Sequence, residues 1–166
     1  MTRTKAELTA LSPGALGHIC RNLRDRDRAE LFALRRDDDP DALAREMLAR
    51  DSGLVSLAWL GEEPVAVVGA IPLWPSVWSV LAFGTDTWDK VSVTLTKHVR
   101  RVLIPTLYNV GARRAQCWSL AEHHTAHAWL TRSLGARRGP EFPEFGRDGE
   151  TFILFEWLRP DAKRIM

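Results

Sequence analysis

The sequence predicts an α/β (α+β) fold, helices flanking a sheet with a parallel strand-helix-strand unit at its centre, and three stretches carry that prediction. Val77 to Phe83 is a short run rich in β-branched and aromatic residues and closed by Gly84, the pattern of a buried strand. Arg114 to Leu120 is a second such run with a loose alternation. Between them Val91, Leu95, Val99 and Val102 recur at helical spacing, so one face of a helix is apolar while Lys97, His98, Arg100 and Arg101 lie off it. Pro105 is expected to bend or end that helix. Two roughly parallel strands joined this way need a right-handed crossover, which lays the helix over one face of a sheet.

The remaining elements fall into place around this unit. Thr4 to Leu11 alternates Ala6, Leu8 and Ala10 with Lys5, Glu7 and Thr9, as an edge strand does. Ser12-Pro13 supplies a helix N-cap and first-turn proline, and Leu16, Ile19, Cys20 and Leu23 form the apolar face that follows. A second helix starts at Asp25, apolar at Ala29, Leu31, Phe32 and Leu34, and stops at Asp37-Asp38-Asp39-Pro40. That acidic cluster lacks the glycine and terminal glutamate of a calcium loop, so it reads as a capping turn for a third helix from Asp41 to Arg50, with Leu43, Met47 and Leu48 inward. Leu54 to Leu60 and Pro64 to Ile71 make a hairpin across Gly61-Glu62-Glu63, and Pro72 and Pro75 predict an extended connection to the next strand. After the central unit come a helix from His123 to Leu134 capped by Gly135, a turn-rich loop from Gly139 to Gly149, and a final strand from Thr151 to Leu158. Ala126, Trp129, Leu130 and Ser133 or Leu134 are the expected inner face of that helix.

Composition bounds the class. With 166 residues, 45% of them hydrophobic, the chain suits one domain spanning 1–166 that buries roughly 70% of its unfolded surface. Cys20 and Cys117 sit inside apolar patterns far apart in sequence, so both are expected as reduced, buried thiols in a cytosolic protein. The stretch from Met1 to Glu7 lacks the apolar core of a signal peptide, and no run nears the roughly 18 apolar residues of a membrane span, so a soluble protein is expected. A formal charge of +2 is too small to argue nucleic-acid binding. The arginine pairs at 100–101, 113–114 and 137–138 read as a solvated rim. Seven tryptophans are many for this length; most are expected in the core, and an excess of indole also suits a surface buried against partner proteins.

The order of elements, with Ala126, Leu130, Leu134 and Gly135 on the penultimate helix and a late aromatic strand, resembles the GCN5-related N-acetyltransferase (GNAT) fold. The resemblance implies a mixed, mostly antiparallel sheet of about six strands. Within that family the chain is most similar to small acetyltransferase-like proteins of tailed phages, including internal virion proteins, through His127, Leu134-Gly135-Ala136 and Arg147-Asp148-Gly149-Glu150 before an aromatic strand. That likeness implies a phage protein made in the bacterial host cytoplasm, incorporated into virions and partnered by other phage structural proteins.

The departures bear on function. Active members hold the coenzyme A pyrophosphate on a glycine-rich loop between the fourth strand and the long helix, where bare amides and a positive helix end attract the anion. Here the positional equivalents are Thr85, Asp86, Thr87, Trp88, Asp89 and Lys90. Asp86 or Asp89 is expected to cap the helix and fill the anion site with a carboxylate, and Trp88 is bulky where close approach is needed. The tyrosine that often serves the family as general acid corresponds to Thr131, a far poorer proton donor. No carboxylate lies in Val77 to Phe83 where the family's base commonly stands, which leaves Glu122 or His124, and Asp86 in an active reading, as substitutes. The expectation is a degenerate site with no cofactor, or acetyl-CoA if the protein is active. No metal is expected: His123 and His127 share a helical face but lack a third ligand nearby. Cys117, on an apolar strand, reads as inert, and no Ser-His-Asp order is legible.

Overall fold

The computed structural model describes residues 4–160. Seven strands form one sheet in the order β1-β2-β3-β4-β5-β7-β6. They are β1 (Ala6–Ala10), β2 (Val55–Leu60), β3 (Glu63–Trp74), β4 (Val77–Gly84), β5 (Arg114–Leu120), β6 (Arg137–Phe142) and β7 (Phe152–Leu158). The helices are α1 (Pro13–Arg21), α2 (Asp25–Ala33), α3 (Pro40–Ala49), α4 (Ser92–His98), α5 (Ile104–Asn109) and α6 (His124–Ala128). A π turn over Val99–Leu103 joins α4 to α5, and another over Trp129–Ser133 extends α6. Every strand pairing is antiparallel except β4 with β5, the parallel pair that the crossover spacing predicts.

The strands alternate their side chains between two cores. On one face Val67 and Phe83 meet Leu16, Ile19, Cys20 and Met47 from α1 and α3. On the other, Val68, Ile153 and Phe155 meet Val91, Leu95, Val99 and Leu103 from the crossover rod, with Leu130 and Leu134 beside them. Asp39 caps α3 by accepting the Asp41 N–H at 2.9 Å, so the acidic cluster is the capping turn it resembles. Ser12 occupies the N-cap position of α1 with Pro13 following, although its hydroxyl makes no capping bond.

Several elements differ from their sequence patterns. Pro72 lies inside β3, where the register shifts between Pro72 and Trp74, and Trp74 pairs directly with Val77. The β3–β4 connection is therefore a tight hairpin with Ser76 at φ 72, and an extended linker is absent there. Residues 137–142, within and before the expected loop, form edge strand β6, giving seven strands where about six were expected. On α2 only Asp27, Phe32 and Ala33 are buried, and Leu34 is exposed. Pro105 does not end the long helix: the π turn, in which Ile104 N–H donates to Val99 five residues back, carries the rod through to Asn109. That extra residue rotates the buried face, so Leu103 is 2% exposed and Val102 50%.

Candidate functional site

The parallel pairing of β4 with β5 covers only Val77–Arg114, Trp78–Ala115 and Ser79–Gln116. Beyond it β4 stays paired with β3 as far as Gly84 and β5 with β7 as far as Leu120. The two strands thus diverge in a wedge, and this gap is part of a cavity of about 550 Å³ that also runs along α2, Leu43 and Met47 of α3, and Ile71 and Leu73 of β3. Val80, Ala82, Cys117, Ser119, Trp129 and Leu130 are among its walls. Val80, Leu81 and Ala82, on the part of β4 beyond that pairing, are half-buried and line this gap.

Several amides of the loop leaving β4 are bonded within the chain. Gly84 N–H donates to the Asp27 carboxylate at 2.9 Å and Thr85 N–H to Val65 O at 2.8 Å. Thr87 N–H reaches Thr85 Oγ1 at 3.3 Å, Trp88 N–H reaches Thr85 O at 3.0 Å, and Val91 N–H reaches Trp88 O at 3.0 Å. Neither Asp86 nor Asp89 caps the 3₁₀ turn at Trp88–Lys90 or α4; the carboxylate at this loop is Asp27, supplied from α2. Asp27 is 6% exposed and is also bound by Arg24, whose Nε lies 2.9 Å away. Burial pushes its carboxyl up, against the opposing charge of Arg24 and the bond from Gly84. Arg24 stacks over the Trp88 ring at 4.3 Å, and Trp88 meets Trp129 edge-on at 5.7 Å. Trp129 is fixed in turn by donating Nε1–H to Thr96 Oγ1 at 2.9 Å. Gly84 is required here, since a Cβ would stand 2.7 Å from Val65 O and 2.9 Å from the Trp88 ring.

At the β5 side of the wedge, Glu30 Oε1 accepts the Leu120 N–H at 2.7 Å and lies 3.5 Å from His123 Nδ1. Ser119 is 3% exposed and its Oγ has no hydrogen-bond partner. The Cys117 thiol is pushed up by burial and by the charge of Glu30, which keeps it an unreactive thiol at neutral pH. Glu30 and Ser119 are polar wall residues that sequence spacing did not single out, because α2 and β5 are 90 residues apart at the Glu30–Leu120 contact, and His123, weighed from the sequence only as a metal ligand beside His127, joins them there.

The residues that the sequence did single out are scattered. Of Thr85 to Lys90 only Trp88 and Asp89 line the cavity. Glu122 and His124 are exposed and outside its walls. Thr131 is also outside them and donates its hydroxyl to His127 O at 2.9 Å. His127 is buried with its Nε2 2.9 Å from Leu120 O, and no group of three metal-ligating side chains occurs among the described residues. A second groove, about 580 Å³, runs between α4 and the end of α6 past Lys97, Arg100, Arg101 and Trp129.

No protein-family model and no curated protein sequence matches the chain. Solved structures do. Ard1 from Thermoplasma volcanium superposes with a TM-score of 0.72 at 10% identity, covering 94% of this chain and 99% of that one. The ribosomal-protein-S18-alanine N-acetyltransferase from Escherichia coli gives 0.68 at 13% identity, covering 98% and 99%. A Bacillus subtilis acetyltransferase in complex with CoA gives 0.63 at 14% identity, covering 94% and 99%. At these identities the likeness is one of architecture, and the divergent parallel pair within a mostly antiparallel, helix-flanked sheet is the GNAT acetyltransferase fold.

Proposed function

We propose that this protein uses the acetyltransferase fold without its chemistry: its coenzyme A site is degenerate, and the fold serves as a noncatalytic binding module. The observation that carries this reading is the bond from Gly84 N–H to Asp27. A diphosphate needs free amides and positive potential. Here the loop amides named above are donated internally, a buried carboxylate occupies one of them, and Trp88 packs into the loop. The residues present do not fit the cofactor's diphosphate.

The phage likeness carried by His127, Leu134-Gly135-Ala136 and Arg147 to Glu150 makes phage structural proteins the proposed partners and the virion the proposed destination. Calorimetric titration with acetyl-CoA is expected to give no binding heat up to roughly millimolar cofactor, whereas a dissociation constant near 1 μM, about −8 kcal/mol, would overturn the noncatalytic reading. Mass spectrometry of purified virions is expected to find the chain, and its absence would remove the virion assignment.

One observation favours a second reading, an active acyl-CoA-dependent N-acetyltransferase. The Glu30–His123 pair lies in the wall of the wedge, so it could relay a proton there, unlike the exposed Glu122, His124 and Asp86. If acetyl transfer is detected, His123→Ala should reduce it by about 10²-fold or more.

A further inference from the structure

The two strand ends that bound the wedge are tied to one helix. Asp27 and Glu30 stand three residues apart on α2 and so share a side of it. The first takes the Gly84 N–H at the end of β4 at 2.9 Å, and the second takes the Leu120 N–H at the end of β5 at 2.7 Å. Arg24 N–H adds a bond to Gly84 O at 2.9 Å, and Leu23 bridges to Thr85. Five of the nine α2 residues are charged, and its buried apolar side chains, Phe32 and Ala33, lie at its last turn. Where α2 crosses the wedge it is therefore held largely by polar bonds, the kind of segment that opens locally at a cost well below global unfolding.

We propose that α2 is a releasable clasp: the Asp27 and Glu30 carboxylates hold the open ends of β4 and β5 at a fixed separation, and letting go widens the wedge from the α2 side. The inference is independent of whether the wedge accepts coenzyme A. Because the two ties share one helix, cutting one should loosen the other. Glu30→Ala removes the acceptor at Leu120, whereas Glu30→Gln keeps an amide oxygen there.

In Glu30→Ala, hydrogen exchange at the Gly84 amide, which Glu30 does not touch, is expected to accelerate about tenfold, the scale of one charge-assisted hydrogen bond, while Glu30→Gln stays near the parent rate. Peptide-resolved alkylation should show Cys117 labelled faster in Glu30→Ala than in Glu30→Gln, which removes the same charge beside the thiol, while Cys20, inside the other core, stays protected. Unchanged Gly84 exchange, or Cys20 and Cys117 gaining reactivity together, would overturn the clasp. If Glu30→Ala does not fold, denaturant-dependent exchange of the unmodified protein decides. Gly84 and Leu120 opening with one shared free energy below that of the β2–β3 amides supports the proposal, and opening only with those amides refutes it.

Discussion

Glu156 on β7 is buried between two arginines, Arg114 from β5 and Arg137 from β6, and both guanidiniums bond its carboxylate. The hydrogen bonds from Arg137, then the charge and bonds of Arg114, hold its carboxyl below the usual range against the effect of burial. A depressed carboxyl contributes stability that is present above the unfolded value and is lost as pH falls through the folded one. Glu156→Gln should therefore cost about 1–2 kcal/mol in urea denaturation at neutral pH, the scale of lost charge-assisted bonds, because the exposed Arg137 and part-exposed Arg114 regain water, and the difference from the parent should shrink below about pH 4. His127 responds in a different pH range. Leu120 O can only accept, so Nε2 carries the proton, and Nδ1 is buried without a partner. Burial depresses this imidazole, so its stabilising contribution is complete above an unfolded value of about 6.5 and declines as pH falls below it. Nitrogen-detected NMR at neutral pH should show the Nε2–H tautomer; a His127 ring protonated at both nitrogens at pH 7 would contradict this placement.

The crossover rod shows how periodicity misplaces one residue. Val91, Leu95 and Val99 are buried as their spacing requires. The π turn then adds a residue ahead of Pro105, whose missing N–H and ring disrupt a regular turn, and Leu103 takes the inward place assigned to Val102. Leu103→Ala should cost about 2–5 kcal/mol and Val102→Ala within about 0.5 kcal/mol, the reverse of the helical repeat. Thermal or urea unfolding of the two variants distinguishes the assignments. Similar local causes explain the other departures. Pro72 is accommodated at a register shift in β3, and Arg137 to Phe142 reads as a loop because Gly139 and Pro140 interrupt a strand whose pairing with β7 shifts between Arg138 and Glu141.

For the molecule as a whole, the parallel unit and its flanking helices were legible because Val77 to Phe83, Val91 to Val99 and Arg114 to Leu120 each bury a periodic apolar set. The wedge was not, since divergence of two strands after Ser79 depends on what packs between them. Its polar wall likewise joins α2 to the end of β5, a contact with no local sequence signature. The fold also predicts thiol behaviour. Burial pushes Cys20 up to about 12 and Cys117 upward as well, so a disulfide reagent near pH 8 should leave Cys20 essentially unmodified until the protein unfolds and should reach the half-buried Cys117, in the wall of the wedge, only slowly. Rapid titration of either thiol in the native state would place it elsewhere.

The two outer strands have a bearing on behaviour at high concentration. β1 spans only five residues, and along β6 Pro140 offers no amide while the shifted pairing breaks the regular row of donors and acceptors. Neither rim offers another chain a long, flat template for strand addition, so the sheet is guarded on both sides against amyloid-like stacking.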